Sequence, residues 1–477
     1  MRSLPVIVSP DERQYRAWDK FFSQIFGFYE NQSQLSGFCM ESPSFSSPLA
    51  KVTRLRIAWR ILPLVFVMYA VAYLDRANVS FGKLPMIEEL GFSEEVYGWG
   101  AGIFFIGYLA FEIPGALIVE RFGARKWMAR ILISWGLCTA AVGLVRTSGE
   151  FYTARFLLGM AEAGFFPGII VYLNHWFAPG DRARAMSGLI LAIPITMGLG
   201  APLSAGILGI HWFGASGWRW LFILEGLPAV ALGIFTLFYL TDRPKQAHWL
   251  STEQRDWIQT TLETERLGKR ASEHVTIWQA FRQRNVILLS LAMFSANLNS
   301  YTFVFWLPTV IKEASGYSIR EATLFSAFPY VAGLIAMVVV SYLSDRSGRR
   351  QAYTIVPMIL TTVLLTASAI PGQPFWRVMI WLCLAGAAMN AGSPSFWVLP
   401  TMTLQSSAAA ASIGMINSLA NLSGFVAPAI VGMLRSRGFT SAEIVPVVAC
   451  GPLVGAALVA ALKMPPASAP RADAREP

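Results

Sequence analysis

The sequence predicts an all-α membrane protein with twelve transmembrane helices arranged as two six-helix halves. Three observations support this fold class. Of the 477 residues, 55% are hydrophobic and only 14% are charged, whereas about 25% of the residues in soluble domains are charged. Apolar stretches about as long as a bilayer-spanning helix, roughly 20 residues, recur twelve times. A long polar segment separates the first six from the last six.

The twelve apolar segments define the predicted helices in chain order. A soluble protein could bury a few such runs, but it could not bury this many in succession. The predicted spans are 57–81, 96–118, 127–146, 151–177, 185–210, 218–240, 286–310, 322–343, 353–371, 376–398, 408–434 and 442–462.

The segments between and beyond the spans complete the predicted organisation. Residues 1–56 are expected to form a disordered N-terminal cytoplasmic tail, and the Pro/Ala-rich residues 464–477 a second disordered tail. The helical bundles are predicted at 57–241 and 286–463, with a central cytoplasmic loop at 242–285.

The central loop contains one predicted helix of its own, over residues 251–267. Ser251 or Thr252 precedes Glu253 and Gln254, which is typical of a capped helix start. Apolar residues then recur at helical spacing, so an amphipathic helix on the cytoplasmic side is expected.

The placement of the basic residues argues against a nucleic-acid partner, although the net charge is +10. Basic residues cluster in alternate loops, and the intervening loops are sparse or acidic. This is the positive-inside pattern, which places both termini in the cytoplasm and makes the lipid bilayer the main partner. The basic clusters lie at 51–60, 121–130, 182–184, 243–284 and 346–350.

Four ionisable residues lie inside apolar stretches: Asp75 and Arg76 in the first span, and Arg155 and Glu162 in the fourth. A charge at the bilayer centre costs at least about 2.5–3.5 kcal/mol on insertion scales. Such residues are retained mainly where they face a water-filled pathway and handle ions or protons. These four therefore predict a transport function.

The chemistry of these residues favours co-transport of an anion and a proton. An arginine stays protonated at any relevant pH, whereas a desolvated Glu can become neutral. Two structural alternatives remain open at this point. Arg155 and Glu162 could form a pair that locks helices together, and Asp75 and Arg76 could merely cap the extracellular end of helix 1.

Neighbouring residues extend the predicted site. Tyr73 lies on the same helical face as Arg76, which adds an aromatic surface to a polar stripe. The second half has no charged residue between Arg377 and Arg435, so its candidates are polar or aromatic, chiefly Trp397 and Asn417. Polar contacts between helices would explain these about as well as substrate binding would.

A short motif recurs at matching places in the two halves. Glu120-Arg121-Phe-Gly123 follows the second span, and Asp345-Arg346-Ser-Gly348-Arg349 follows the eighth. Repeated halves of this kind bracket a site near the membrane midplane.

Twelve spans, a central loop and this recurring motif resemble the major facilitator superfamily. The second copy matches the loop signature of that superfamily closely. The first copy departs from it, because Glu120 replaces the usual Asp and Ala116 stands where Gly is expected. The resemblance implies that these two copies form a cytoplasmic gate, which could be weaker on the side of the first copy.

A narrower resemblance is to the anion:cation symporter family. It rests on Tyr73-Leu-Asp75-Arg76-x-Asn78-x-Ser80, on Arg155-Phe-x-x-Gly159-x-x-Glu162 with Pro167 and Gly168, on Trp218-Arg-Trp-Leu-Phe222 with Glu225-Gly226, and on Trp306-Leu-Pro308. Bacterial members import organic acids such as tartrate, phthalate or sugar acids together with protons.

This resemblance implies specific roles for the residues singled out above. Arg76 and Arg155 would contact a substrate carboxylate, Asp75 and Glu162 would carry protons, and Trp397 and Asn417 would complete the substrate site. It also implies a monomer in the bacterial inner membrane.

The sequence predicts neither an enzyme nor a cofactor. It contains no CxxC pair, no histidine pair with metal-ligand spacing and no GxxxxGK[ST] phosphate loop. Two other function classes stay open, namely a proton-coupled exporter of drugs or metabolites and a non-transporting membrane receptor.

Overall fold

The computed structural model describes residues 47–270, 282–403 and 406–463, and every regular element in these ranges is a helix. The α-helices are α1 (Pro48–Phe81), α2 (Lys83–Leu90), α3 (Glu94–Phe122), α4 (Ala124–Val142), α5 (Ser148–Glu162), α6 (Phe165–Trp176), α7 (Pro179–Ile190), α8 (Ala192–Ile207), α9 (Gly217–Tyr239), α10 (Thr252–Arg270), α11 (Arg284–Ser315), α12 (Ile319–Phe325), α13 (Ala327–Ser347), α14 (Ala352–Ser368), α15 (Phe375–Ala391), α16 (Ser393–Thr403), α17 (Ser406–Ser436) and α18 (Ser441–Ala460).

The predicted fold class is confirmed. Four pairs of helices continue one another across short breaks, namely α5–α6, α7–α8, α12–α13 and α15–α16. With these pairs joined, and with the short α2 and the loop helix α10 set aside, twelve segments remain, six before the central loop and six after it. Within the described ranges, nine helices or joined pairs are long and apolar enough to cross a bilayer. The helix α14 is apolar but shorter.

The first helix begins earlier in the structure than the sequence predicts. It starts at Pro48 instead of residue 57, because Ser47 caps it and proline suits the first helical position. The Ser47 hydroxyl accepts a hydrogen bond from the backbone N–H of Ala50 at 3.2 Å. The remaining tail residues, 1–46, and the predicted tail at 464–477 lie outside the described residues.

The loop helix α10 lies against the first half. Ser251 caps it, because its hydroxyl accepts from the N–H of Gln254 (3.3 Å) and the Gln254 side chain accepts in return from the N–H of Ser251 (3.1 Å). The side chain of Arg182 forms an ion pair with Glu265 at 3.1 Å. The loop helix therefore marks one end of the molecule, which we call the central-loop end, and the other is the opposite end.

The two halves pack tightly at the opposite end, mainly through α3 and α17. Glycines allow this approach, because a Cβ at Gly98 would lie 2.3 Å from the backbone oxygen of Pro428. A Cβ at Gly432 would likewise lie 2.6 Å from the backbone oxygen of Glu94. Small residues at such positions let helix backbones approach closely.

The fourth span is broken in its middle. The helix α5 ends at Glu162, Gly164 adopts the left-handed conformation (φ +82°), and α6 begins at Phe165. Glycine is the residue that adopts this conformation without steric cost. The break places the carboxylate of Glu162 at a helix end deep in the bundle.

In both halves the repeated motif places a glycine with positive φ directly after a helix, although ψ differs, 150° at Gly123 and −5° at Gly348. The φ values of Gly123 and Gly348 are +89° and +70°. A carboxylate oxygen of Asp242 accepts a hydrogen bond from the backbone N–H of Arg125 at 2.7 Å. A Cβ at Gly123 would lie 2.9 Å from the same oxygen, so this position also favours glycine.

The predicted gate role of this motif stays a prediction. Asp345 is exposed and pairs with Arg350 of its own half, and Arg346 and Arg349 are exposed. Arg121 packs against the ring of Phe122. The side chain of Glu120 lies outside the described part of the structure.

Candidate functional site

Arg76 and Glu162 form an ion pair between α1 and α5 in the middle of the first half. The Arg76 guanidinium donates from Nε (2.8 Å) and Nη2 (2.6 Å) to the same oxygen, Oε1 of Glu162. The side chain of Glu162 is 1% exposed and that of Arg76 is 17% exposed. The pair therefore has one sealed member and one member that solvent can reach.

Aromatic rings surround the guanidinium of Arg76. Its central carbon lies 5.1 Å from the ring centroid of Tyr108, 5.4 Å from Tyr73 and 5.8 Å from Phe104. Cations are attracted to such ring faces when they are held within about 6 Å. The predicted aromatic surface beside Arg76 is thus present, and it holds the guanidinium without neutralising its charge.

Asp75 lies inside the first half and does not face the second half. Its carboxylate accepts from the indole Nε1–H of Trp135 on α4 (2.8 Å) and from the Asn78 side chain (2.9 Å). The residue is buried. Asp75 and Arg76 thus point to different neighbours, as expected for adjacent helical residues about 100° apart.

Arg155 is enclosed between α3 and α5. Its guanidinium donates to the backbone oxygens of Gly100 (3.3 Å) and Ala101 (3.4 Å), and it lies 4.9 Å from the ring centroid of Phe104. Glu162 pairs with Arg76 of α1 and not with Arg155, although Arg155 lies on the same helix, α5, as Glu162. The predicted contact between Arg155 and a substrate stays a prediction.

Asn417 of the second half faces the first half. Its side-chain N–H donates to Glu112 Oε1 at 3.3 Å, and the neighbouring Ser418 hydroxyl donates to Glu112 Oε2 at 3.0 Å. One turn further along α17, Asn421 accepts from the Tyr301 hydroxyl at 3.1 Å. The polar face of α17 therefore contacts α3 of the first half and α11 of its own half.

Trp397 lies on α16 and packs edge-on against Phe396, with ring centroids 5.7 Å apart. Both belong to a smaller apolar cluster in the second half. The structure brings Arg76 and Glu162 together with Tyr73, whereas Trp397, Asp75 and Arg155 each have other neighbours.

The comparison with known families decides the identity of the fold. The profile of the Major Facilitator Superfamily matches residues 65–428. The chain belongs to the major facilitator superfamily. It is therefore an integral, multi-pass membrane protein of a transporter family and not an enzyme.

Several named proteins are similar to this facilitator over most of their length. A protein of Agrobacterium vitis named as a candidate tartrate transporter is 41% identical over 381 residues, which cover 80% of this chain and 87% of that protein. A quinolone resistance transporter of Acinetobacter baumannii is 36% identical, covering 80% and 87%. The inner membrane transport protein RhmT of Escherichia coli is 34% identical, covering 77% and 85%.

Solved structures of low sequence identity share the fold. The inward-open structure of the xylose transporter XylE from Escherichia coli superposes with a TM-score of 0.68 at 17% identity, covering 85% of this chain and 96% of that one. A bacterial homologue of the human lysosomal transporter Spinster, in an inward-facing and unoccupied conformation, gives 0.66 at 16% identity, covering 86% and 95%.

Four buried charged residues in the described ranges were not among the predicted site residues, namely Glu112, Glu225, Lys83 and Asp181. Glu112 and Glu225 lie in predicted spans, and the criterion that selected Asp75 and Glu162 would also have selected them. Glu225 accepts from the Ser204 hydroxyl at 2.7 Å within the first half. Lys83 follows the end of the first span, where a sequence offers no sign of burial.

Lys83 connects the halves at the opposite end. Its ammonium forms an ion pair with Glu94 (2.9 Å), hydrogen-bonds to the Thr309 hydroxyl (3.2 Å) and lies 4.7 Å from the ring centroid of Trp306. Burial lowers the pKa of this ammonium to about 8, although Glu94 opposes the shift. Glu94 also lies 3.7 Å from Arg435 of the second half. Glu94 is thus linked to the second half in two ways, directly through Arg435 and indirectly through Lys83, which hydrogen-bonds to Thr309.

The described residues offer no site for a metal ion. No group of three or more His, Cys, Asp or Glu side chains in these ranges is arranged to hold one. The chemistry available in the described site is therefore that of arginine, carboxylate, amide and hydroxyl groups.

Proposed function

We propose that this facilitator is a secondary active transporter that imports a small organic anion together with protons by alternating access. The substrate class follows the Agrobacterium vitis relative, which is named for tartrate. The positive-inside pattern places the central-loop end and both termini in the cytoplasm, and bacterial relatives favour the inner membrane. One chain is expected to suffice for transport.

The observation that carries this proposal is the Arg76–Glu162 pair. Both hydrogen bonds from Arg76 go to Oε1, and Oε2 of Glu162 is buried with no hydrogen-bond partner among the described residues. A protonated Glu162 would no longer neutralise Arg76. The guanidinium, which is the more exposed member, would then be free to bind a substrate carboxylate in bidentate geometry. Glu162 and the substrate would therefore alternate as partners of Arg76.

This exchange of partners couples the two fluxes. Substrate binds when Glu162 carries a proton, and loss of that proton to the cytoplasm restores the Arg76–Glu162 pair and expels the anion. Neither the proton nor the anion crosses the membrane alone, because an unpaired buried charge of either sign is costly. Asp75, held by Trp135, is a second proton carrier in this proposal. Arg155, which donates to the backbone of α3 in this conformation, is in this proposal a second arginine that contacts the substrate carboxylate.

Alternating access requires one end of the molecule to be closed while the other is open. The halves are held together at the opposite end by the hydrogen bond from Lys83 to Thr309 and by the ion pair between Glu94 and Arg435. At the central-loop end, Asp345 pairs within its own half. This arrangement supports a conformation that faces the cytoplasm.

Uptake into proteoliposomes under an imposed pH gradient tests the proposal. When the outside is more acidic than the interior, labelled tartrate or another small dicarboxylate should accumulate inside the vesicles. Glu162→Gln should abolish this accumulation but still allow substrate exchange. Glu225→Gln is the matched control, since Glu225 is also a buried carboxylate of the first half but contacts only Ser204 among the described hydrogen bonds. Accumulation by Glu162→Gln equal to that of the unmodified protein would refute the proton role.

A second candidate is a proton-coupled exporter, and one relative favours it. The Acinetobacter baumannii protein is named for quinolone resistance. The direction of flux separates the two functions: an importer accumulates the anion in cells, and an exporter lowers the cellular content of a drug. Resistance to quinolones without any anion uptake would support the exporter.

A further inference from the structure

Glu112 is a carboxylate that lies between the two halves. It is 4% exposed, and its described hydrogen-bond partners are the neutral side chains of Asn417 and Ser418, both on α17. By contrast, the described partners of Asp75 and Glu162 all belong to the first half. A movement of the halves would therefore change the surroundings of Glu112 more than those of the other two carboxylates.

Among the described hydrogen bonds between α3 and α17, those of Glu112 lie farthest from the opposite end. At a rise of about 1.5 Å per residue, Glu112 lies about 27 Å along the helix from Glu94. The ion pairs of Glu94 and the close approach at Gly98 lie nearer the opposite end. An opening that starts at the opposite end must break the contacts between α3 and α17 in turn, and those of Glu112 with Asn417 and Ser418 are the last of them.

Glu112 is also next to the break in the fourth span. Pro114 lies inside α3, and a Cβ at Gly115 would lie 2.7 Å from the Cα of Gly164. Gly164 is two residues after Glu162. The backbone that carries Glu112 is thus packed directly on the backbone that carries the proposed proton site.

Among the described residues, the charged and titratable groups that face Glu112 give it no unpaired cation. Arg76 of α1 interacts with it electrostatically, but Arg76 is already paired with Glu162. Within the described ranges, Tyr108 of α3 and Tyr301 of α11 are the other titratable groups in electrostatic range. The facing residues of α17, Asn417 and Ser418, do not titrate. If Glu112 is ionised while buried here, little positive charge offsets its negative charge, and burying such a charge costs free energy.

We infer that Glu112 is a third proton-carrying carboxylate, and that its uptake of a proton allows the two halves to close at the opposite end. A neutral Glu112 still accepts from Asn417 and can donate its own O–H to Ser418, so the contact between the halves is kept without a buried charge. An ionised Glu112 favours the conformation in which water reaches it. This inference rests on the proposed proton-driven import, in which protons enter from the opposite end before that end closes.

The distance between the halves, measured as a function of pH without substrate, tests this inference. Spin labels at Glu88→Cys and Arg437→Cys, both exposed at the opposite end, would be introduced after replacement of the native cysteines. The short-distance population should grow as the pH falls from 7.5 to 5. Glu112→Gln should show the short distance throughout this range, and Glu225→Gln should follow the unmodified protein. A Glu112→Gln variant that titrates like the unmodified protein would overturn the inference.

Ser418→Ala keeps the test decisive if Glu112→Gln does not fold. Loss of one donor makes the ionised carboxylate harder to seal, so the short-distance population should fall severalfold at pH 7.5 and change little at pH 5. An equal loss at both pH values would mean a purely structural contact and would overturn the inference. Because no substrate is present, the result is independent of whether the anion is imported with protons, which the uptake experiment decides separately.

Discussion

Arg76 donates two hydrogen bonds to a single oxygen of Glu162, and the second oxygen of that carboxylate is buried without a hydrogen-bond partner in the part of the chain that the structure describes. A fully satisfied structural pair would use both oxygens, as bidentate arginine–carboxylate pairs do. The observed geometry leaves one oxygen available to a proton. This asymmetry is the physical basis for assigning the pair to transport, although it also contributes to holding α1 against α5.

Removal of one member of this pair should cost more stability than removal of both. Arg76→Ala leaves Glu162 buried without its cation, which typically destabilises a protein by about 3–5 kcal/mol. The double variant Arg76→Ala/Glu162→Gln removes both charges and should recover most of that loss. Thermal unfolding in detergent measures the effect, and a double variant as unstable as Arg76→Ala would contradict it.

Lysine should not replace arginine at position 76. An ammonium is a compact point charge and cannot offer the planar fork that binds a carboxylate through two parallel hydrogen bonds. We expect Arg76→Lys to weaken substrate binding by about 10- to 100-fold while keeping the fold, in line with roughly 1.4 kcal/mol per factor of ten. Calorimetric titration with the transported anion measures this, and an unchanged Kd would remove Arg76 from direct contact.

Alkaline pH should stabilise the closed opposite end through Lys83. The pKa of its ammonium is about 8 when buried and 10.5 when solvated. Between these values the closed conformation binds fewer protons, so raising the pH from 8 to 10.5 favours closure. The spin-label pair at Glu88 and Arg437 should report this shift. Lys83→Met should abolish it, and a shift that persists in Lys83→Met would assign it to another group.

The packing of α3 on α5 should tolerate no side chain at Gly159. A Cβ there would lie 2.0 Å from the backbone oxygen of Phe104, so Gly159→Ala should force the helices apart and destabilise the protein by about 1–3 kcal/mol. Gly206→Ala is the control, because nothing lies within 4 Å of its added Cβ. It should be neutral or slightly stabilising. Thermal unfolding compares the two, and equal effects would contradict this account.

Removal of the Trp135 indole donor should change the pH dependence of transport. The Nε1–H of Trp135 hydrogen-bonds to Asp75, and a donor favours the ionised form of a carboxylate. In Trp135→Phe, Asp75 should therefore hold its proton to higher pH, and the pH profile of substrate exchange should move upward. Trp376→Phe, at an exposed position, should leave the profile unchanged. An unshifted profile in Trp135→Phe would separate Asp75 from proton coupling.

The sequence by itself determined the fold class. Each apolar segment can be recognised from its own length and composition without knowledge of the helices beside it, because the membrane thickness sets the length that a spanning helix needs. The repeated motif was likewise visible locally, and Gly123 and Gly348 both adopt a positive φ directly after a helix. The start of α1 was placed too late, because the cap at Ser47 lies outside the apolar stretch.

Only the tertiary structure decided which charges meet. Arg155 and Glu162 share a helix, yet Glu162 pairs with Arg76, which is 86 residues away in sequence. Whether Glu162 pairs with Arg76 or with Arg155 depends on how α1 packs against the broken fourth span. Helical spacing within one segment carries no information about that packing. Glu112 shows the same limit, because its importance comes from two donors about 305 residues further along the chain, in the other half. Burial and partner choice arise between helices, whereas a linear pattern describes one helix at a time.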